Sequence, residues 1–330
     1  MILVWGPPGD DTTLAVLDAL GRRQAPTVFI NQADVLSQDF HLDVGSEVRA
    51  RLDLGSGELD LNDASAAYVR PYNSSDAPAV AVNGALSEQA FHARRIDGLL
   101  LRWAEITPAH VVNRPSAMAT NGSKPAQALA AQAVGFEVPE TLLTTDPDAV
   151  RRFADAHEAV VFKSISSVRS IVTQLRAQDM ERLDDVTWCP TQFQERVPGT
   201  DVRAHVVGDR VVACEIESDA DDYRYGDSTM RPYELPPEQV GCCLALARHL
   251  GLDVAGIDLR RTPDGRWYCF EANPSPAFAH FGDETKVAVA DAIADRLISA
   301  PGPRPFASAF AHLRSGPPDG YTPTAAVQHN

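Results

Sequence analysis

Short apolar strands alternate with helical segments along the first third of the chain. The predicted elements are, in chain order, a strand over 1–6, a helix over 11–22, a strand over 26–31, a hairpin across Gly55-Ser56-Gly57, the strand "AAYVRP", a helix over about 87–106 and the short strand "HVVNRP". This alternation is typical of a small α/β domain with a largely parallel sheet, which we place at residues 1–112. The turn Gly6-Pro7-Pro8-Gly9 contains neither GK[ST] nor GxGxxG, so we interpret it as a strand-to-helix turn and not as a phosphate loop.

The pattern after residue 112 predicts two further α+β units. The first, residues 113–192, contains a helix over about 123–134 that ends at Gly135, the segment "FEVPETLLT", a helix over about 147–157 and the strand "AVVFKSI". The second, residues 193–300, follows the strand "TQFQERV" with "DVRAHVVGDRVVACEIES", a helix over about 236–250, a hairpin and a closing helix over 284–298. Residues 301–330 are rich in Pro, Gly and Ala, and we expect a tail that packs loosely or is disordered.

The hairpin in "DVAGIDLRRTPDGRWYCFEANP" places oxygen-bearing side chains on one face. Thr262-Pro263-Asp264-Gly265 is a strong turn signal. If these four residues form the loop, Asp258 faces Cys269, and Asp258, Glu271 and Asn273 share one face with the two carboxylates as diagonal neighbours. Two adjacent carboxylates repel each other unless a cation or a proton separates them. The hairpin therefore predicts a magnesium–nucleotide site, and the alternative is a solvated strand end followed by an Asn-Pro turn.

Composition and charge restrict the class of protein. The 330 residues are 44% hydrophobic and 22% charged, which is ordinary for a soluble chain with a sizeable core. The net charge of −16 argues against a nucleic-acid partner, which would require a basic face. The apolar start of the chain is too short for a signal peptide, and no run approaches the ~20 residues of a membrane span. Five cysteines without metal spacing suit free thiols, and we expect a cytoplasmic protein with no membrane partner.

Five segments in a fixed order resemble one superfamily. They are "NGSKPAQALAAQAVGFEVPETLLT", "AVVFKSI", "TQFQERVPGTDVRAHVVGDRVVACEI", "DYR" and "GIDLRRTPDGRWYCFEANPSP". Together they resemble the ATP-grasp superfamily, in particular the RimK-like ligases and the graspetide (microviridin-type) peptide-tailoring ligases. The resemblance covers roughly residues 110–300 and more faintly the N-terminal domain. It implies an ATP-grasp fold with a Rossmann-like pre-ATP-grasp domain, a central lid subdomain and a C-terminal subdomain, with the nucleotide between the last two.

The resemblance implies a role in nucleotide binding for six residues. These are Lys124 and Lys163 on the ATP phosphates, with Lys163 also near the adenine edge, the backbone of Glu195 and Val197 on the adenine edge with Gln194 alongside, and Asp201 on the ribose hydroxyls. A lysine is a point charge suited to phosphate. Taken singly, a lysine on a strand is more often a surface residue, and the segment from 194 to 201 could be a simple strand end.

The same resemblance implies the catalytic and metal-binding residues. Arg203 and Arg224 are candidates to stabilise the transferred phosphoryl group, because a guanidinium meets two oxygens at once. Arg224 could equally form a salt bridge within an acidic loop. Asp258, Glu271 and Asn273 match the ligands of Mg²⁺, with Mn²⁺ as an alternative metal.

Two segments depart from the family pattern. Residues 164–170 are serine-rich where many members carry a glycine-rich lid loop over the phosphates. Ser275-Pro276-Ala277-Phe278 stands where comparable graspetide enzymes have Gly-Gln-Trp. The second segment lies near the acceptor side in the family, so the substrate can differ.

The sequence therefore predicts an ATP- and Mg²⁺-dependent carboxylate–amine ligase that acts through an acyl phosphate. The acceptor can be an amine or a hydroxyl, and the substrate is an amino acid or a peptide, including a ribosomal precursor peptide. A homodimer is a further expectation. Two other classes stay open: a phosphotransferase that stops after phosphorylation, and an ATP-binding regulatory protein without turnover. The full set of charged residues argues against the latter, because unpaired charge clusters cost stability.

Overall fold

The computed structural model describes residues 1–164, 172–218 and 228–300. Within these ranges the strands are β1 (Ile2–Gly6), β2 (Thr27–Asn31), β3 (Asp39–Val44), β4 (Val48–Asp53), β5 (Glu58–Asp60), β6 (Ala66–Val69), β7 (His110–Val112), β8 (Thr141–Thr144), β9 (Val160–Ser164), β10 (Thr173–Gln174), β11 (Thr191–Glu195), β12 (Thr200–Val207), β13 (Arg210–Ser218), β14 (Ser228–Tyr233), β15 (Val254–Arg261) and β16 (Trp267–Asn273). The α-helices are α1 (Asp11–Arg22), α2 (Pro78–Ala81), α3 (Glu88–Ile106), α4 (Pro115–Met118), α5 (Lys124–Ala133), α6 (Pro147–Ala156), α7 (Ala177–Met180), α8 (Pro237–His249) and α9 (Asp283–Ile298). No described helix is both long and apolar enough to span a membrane.

The N-terminal strands form a parallel sheet in the order β2-β1-β6-β7. All five residues of β1 are buried, as expected for a central strand of a parallel sheet that is covered on both faces. The chain then turns at Gly6-Pro7-Pro8-Gly9 into α1, whose first turn is capped by the Asp10 side chain. The predicted parallel sheet and the predicted strand-to-helix turn are both confirmed.

A second, three-stranded sheet in the N-terminal region was predicted only in part. The hairpin across Gly55-Ser56-Gly57 is present as β4 and β5, and Gly55 has the positive φ of 74° that such a turn needs. The strand β3, which pairs with β4, was not predicted. Its sequence "DFHLDV" buries only Phe40 fully, so its apolar alternation is weak.

The next sheet has the order β10-β9-β11-β8, and one of its faces is apolar while the other carries polar side chains. Leu142, Phe162 and Phe193 pack in a core that includes residues of α6. Cross-strand pairing places Lys163 and Gln192 on the opposite face. The predicted boundary at 192/193 falls inside β11, and the domain limits stay a prediction.

The last sheet is antiparallel, in the order β14-β13-β12-β15-β16. Val202, Ala204 and Val206 point to one face, where they share a core with residues of α5 and α8. The helix α5 therefore packs on this sheet, although it lies within the range predicted for the central subdomain. Alternation along β12 places Asp201, Arg203 and His205 on the other face.

The predicted register of the β15–β16 hairpin is wrong. Arg261 pairs with Trp267 instead of Arg266, and Thr262 N–H donates to Arg266 C=O, so the register next to the loop is shifted by one residue. A bulge between Asp258 and Leu259 shifts the register again, and Asp258 lies directly opposite Glu271 instead of Cys269. The two carboxylates are therefore immediate neighbours, closer than the predicted diagonal arrangement.

Candidate active site

Two ion pairs lie side by side on the hairpin. Arg203 of β12 pairs with Asp258 of β15, and its Nη1 donates to Asp258 Oδ1. Lys124 at the start of α5 places Nζ 2.8 Å from Glu271 Oε2. Each of the two adjacent carboxylates thus has its own cation, and the repulsion that the sequence implied is compensated.

The electrostatic environment differs between the two carboxylates. Burial acts to raise the pKa of Glu271, but the charges of Lys124, Lys163 and Arg203 outweigh it and lower this pKa below its ordinary value. Burial raises the pKa of Asp258, and the charge of Glu271 adds to this effect against the opposing charge of Arg203. Further positive charge near Asp258 would therefore stabilise the two adjacent carboxylates in their ionised form.

The oxygen donors of this face fit a hard divalent cation. Glu271 and Asn273 alternate on β16, and Asp258 lies opposite Glu271. Asn273 Oδ1 accepts a hydrogen bond of 2.8 Å from Ser275 N–H, which fixes the amide and leaves a second lone pair. Among the described residues no cluster of three His, Cys, Asp or Glu side chains could hold a metal. A cation here would rest on two carboxylates, one amide oxygen and outer oxygens from nucleotide or water.

Lys124 is positioned by a buried glutamine that the sequence analysis did not single out. Gln127, one turn further along α5, donates to Ala272 C=O at 2.8 Å and accepts from Ala272 N–H at 3.2 Å. These two bonds fasten α5 to β16 between Glu271 and Asn273. A polar residue beside the buried alanines of the helix was the available signal.

Lys163 reaches the same site from the central sheet. It lies on β9 opposite Gln192, on the face turned away from the core with α6. Its charge contributes to lowering the pKa of Glu271, so the two groups interact electrostatically. Residues 165–170 of the predicted serine-rich loop lie outside the described ranges.

The predicted hinge residues lie where β11 leads into β12. Gln194 Nε2 donates to Thr141 Oγ1 at 2.9 Å, and Glu195 Oε1 accepts from Glu140 N–H at 2.9 Å. Val197 is buried, and its carbonyl accepts from Arg260 Nη1 at 2.8 Å. These contacts fix the connection between the two sheets, whereas the predicted adenine contacts are untested.

Asp201 forms a bidentate pair with Arg260. The two bonds measure 2.7 and 2.9 Å, and both side chains are 19% exposed. Arg260, which the sequence analysis did not select, also lies 5.1 Å above the ring of Phe270. The carboxylate is thus held in place by Arg260, and its predicted ribose contact stays a prediction.

Arg203 is buried, with 5% exposure, and lies against Gly256. A Cβ atom at Gly256 would overlap Arg203 Nη2, so only glycine leaves room for the guanidinium. Arg203 Cζ also lies 5.4 Å from the ring centre of Phe281. The other predicted catalytic residue, Arg224, lies outside the described residues.

Asn113 is a second buried residue that the sequence analysis did not select. Its Nδ2 donates to Val254 C=O at 2.6 Å and to Pro274 C=O at 2.7 Å, and its Oδ1 accepts from Asp253 N–H at 2.7 Å. It thereby ties the start of β15 to the segment that follows Asn273. The pattern "HVVNRP" predicted the strand but not this contact.

The family is established by a match to the RimK-like ATP-grasp domain over residues 119–297, more than half of the chain. The chain therefore belongs to the RimK-like ATP-grasp family. Beta-citrylglutamate synthase B of Danio rerio is 30% identical over 221 residues, which are 62% of this chain and 54% of that protein. This chain thus spans about half the length of that curated relative.

Solved structures show the same fold. The macrocyclase MdnC of Microcystis aeruginosa, bound to its precursor peptide MdnA, matches with a TM-score of 0.75 at 21% identity over 90% of this chain and 99% of that chain. The ATP-grasp ligase PsnB, in complex with a minimal precursor, Mg and ADP, matches with a TM-score of 0.74 at 28% identity over 91% and 96%. The predicted family and ATP-grasp fold are confirmed, and the predicted enzyme class is the class of these relatives.

Proposed function

We propose that this protein is an ATP- and Mg²⁺-dependent ligase that joins a carboxylate to an amine through an acyl phosphate. One observation carries the proposal: Lys124 and Arg203 pair with the adjacent carboxylates Glu271 and Asp258, and the charge of Lys163 also acts on Glu271. Cationic side chains that can bind phosphate therefore lie next to carboxylates that can bind a metal ion. This pattern is complementary to a magnesium nucleotide.

Each group of the site has a place in this reaction. Lys124 and Lys163 bind the phosphates, while Asp258, Glu271 and Asn273 hold Mg²⁺. Bound Mg²⁺ would neutralise charge that develops on the phosphate oxygens. Arg203 stabilises the charge of the transferred phosphoryl group and of the acyl phosphate.

The remaining predicted residues hold the nucleoside. The Glu195 carbonyl and the Val197 N–H read the adenine edge with Gln194 alongside, and Asp201 binds the ribose hydroxyls. The substrate carboxylate receives the γ-phosphoryl group, and the amine then displaces phosphate. Arg224 stays a candidate for a second cation at this step.

We propose an amino acid or a peptide as the substrate. The name of beta-citrylglutamate synthase B contains glutamate, MdnC was solved with a precursor peptide, and PsnB was solved with a minimal precursor. A hydroxyl acceptor, the use of Mn²⁺, a cytoplasmic location and a homodimer stay predictions.

Trapping with hydroxylamine tests the acyl phosphate. Incubation with ATP, Mg²⁺, hydroxylamine and pooled amino acids or acidic peptides is expected to give a hydroxamate, because hydroxylamine intercepts activated carboxyls. Arg203→Ala is expected to lower hydroxamate formation by ~100-fold or more with a smaller effect on ATP affinity, because the arginine acts in the transition state. A stable phosphoester without hydroxamate would indicate a phosphotransferase. ATP binding without any ADP release would indicate a regulatory protein.

A further inference from the structure

Arg70 is a buried arginine of the N-terminal domain that contacts the C-terminal sheet. It follows β6 directly and is 3% exposed. Its Nε donates to Asp10 Oδ2 at 2.8 Å. Its Nη1 lies 3.0 Å from Ser275 C=O, 2.9 Å from Ser275 Oγ and 3.1 Å from Pro276 C=O. One guanidinium thus joins the carboxyl edge of the parallel sheet to the segment after the metal-binding face.

The acceptors of Arg70 are adjacent to two groups of the active site. Ser275 N–H donates to Asn273 Oδ1, the amide oxygen that we assign to the metal. Pro276 lies on Gly256, since a Cβ at Gly256 would come within 2.7 Å of Pro276 Cβ and would overlap Arg203. A shift of the Ser275–Pro276 segment therefore moves the Asn273 amide and the packing of Arg203 together.

We propose that Arg70 is a positioning residue: through it the N-terminal domain holds Ser275 and Pro276, and so orients Asn273 and Arg203 for the metal nucleotide. The proposal rests on the proposed function. Partners that orient metal ligands commonly affect metal affinity or activity by about 10–100-fold when they are lost. Arginine suits the task because its planar fork reaches a carboxylate and backbone carbonyls at once, whereas a lysine ammonium cannot span both.

Arg70→Lys tests the proposal, with Arg102→Lys as a control. Arg102 is also an arginine of the N-terminal domain that donates to a backbone carbonyl, but its acceptor, Gly98 C=O at 2.8 Å, lies within its own helix α3. Hydrogen–deuterium exchange without ligand measures the segment itself. Calorimetry with ADP, with and without Mg²⁺, measures the gain in nucleotide affinity that the metal provides.

We expect Arg70→Lys to speed exchange in peptides that cover residues 272–281 and to lower the Mg²⁺-dependent gain in ADP affinity by about tenfold. ADP affinity without Mg²⁺ should change little. Arg102→Lys should leave both quantities as in the wild type. Wild-type exchange in the segment of a folded Arg70→Lys protein would overturn the proposal, as would an unchanged Mg²⁺ gain.

Failure of the proposal about Arg70 can be distinguished from failure of the proposed function. If the wild type itself shows no Mg²⁺-dependent gain, the proposed function is wrong, while the exchange comparison still decides whether Arg70 holds the segment. If Arg70→Lys does not fold, Asp10→Asn serves instead. Asparagine keeps the cap of α1 but weakens the ion pair that orients Arg70. Asp10→Asn should speed exchange in the segment and lower the Mg²⁺-dependent gain in ADP affinity, each by a smaller factor than expected for Arg70→Lys. Wild-type values of both quantities would overturn the proposal.

Discussion

Arg203 and Asp258 lie directly opposite each other on β12 and β15, and the guanidinium of one donates to the carboxylate of the other. Beside them, Lys124 pairs with Glu271. A magnesium nucleotide brings a cation for the carboxylates and anions for the lysine and the arginine. Both pairs can therefore exchange their partners for those of the ligand without leaving a buried charge uncompensated.

The metal assignment predicts a strong dependence on the two carboxylates. Glu271→Gln and Asp258→Asn should each lower ATP turnover by at least the ~10–100-fold that loss of a residue orienting a metal ligand costs, most severely at low Mg²⁺, because each removes a charged ligand itself. Turnover measured as ADP release across a Mg²⁺ titration checks this. Glu137→Gln is the control, since Glu137 is 45% exposed and pairs with Arg266 away from the site. Wild-type titration curves for both variants would show that the metal lies elsewhere.

Replacement of Lys163 should weaken the binding of ATP more than the binding of adenosine. Lys163→Ala is expected to weaken ATP binding by about tenfold, or ~1.4 kcal/mol, and adenosine binding much less, because its proposed contact is to phosphate. Calorimetric titration with both ligands measures the difference. Lys286→Ala on α9 should affect neither. An equal loss for ATP and adenosine would instead indicate that β9 has been disturbed.

The predictable parts of this fold have strong local signals. α5, α6, α8 and α9 lie within two residues of their predicted ends, because prolines begin three of them and apolar residues repeat at helical spacing. The position of Asp258 opposite Glu271 was not predictable, because it depends on a bulge between Asp258 and Leu259 that no turn residue marks.

The residues of the candidate site likewise divide into those that carry a sequence signal and those that do not. Charged residues in recognisable motifs, such as Lys124 and Glu271, could be selected from the sequence. Gln127 and Arg70 could not, because each acts by bonding the backbone of a segment 145 or 205 residues away. Such contacts exist only once the tertiary structure has brought the segments together.

His157 should give the central sheet a pH-dependent stability. The Phe153 carbonyl and then the Glu140 carboxylate, 2.8 and 3.0 Å from its ring nitrogens, raise the pKa of His157 above its ordinary value of 6.5. The protonated form is thus favoured in the folded state. The stabilisation that His157 gives to the folded state is fully present below pH ~6.5 and is lost as the pH rises through the folded-state pKa of His157.

Urea unfolding of the wild type and His157→Gln measures this contribution. The difference in free energy of unfolding should be larger at pH ~5.5 than at pH ~8, by less than about 1 kcal/mol, because Glu140 is exposed. Glu140→Gln should retain part of the pH dependence, since the Phe153 carbonyl remains. A difference that is the same at both pH values would contradict the assignment.

Gly256 offers a way to displace Arg203 without removing it. An alanine Cβ there would overlap Arg203 Nη2 and lie 2.7 Å from Pro276 Cβ, so the guanidinium must move. Because a misplacement of about 1 Å can cost ~100-fold in rate, Gly256→Ala should lower hydroxamate formation by that order. ATP affinity should change much less, and overpacking should cost about 1–3 kcal/mol of stability. Gly241→Ala in α8 is the matched control: no atom lies within 4 Å of its added Cβ, so activity should be retained and stability unchanged or raised by up to ~1 kcal/mol. If a folded Gly256→Ala protein formed hydroxamate at the wild-type rate, the position of Arg203 against Asp258 would not matter for the reaction, and its proposed catalytic role would be wrong.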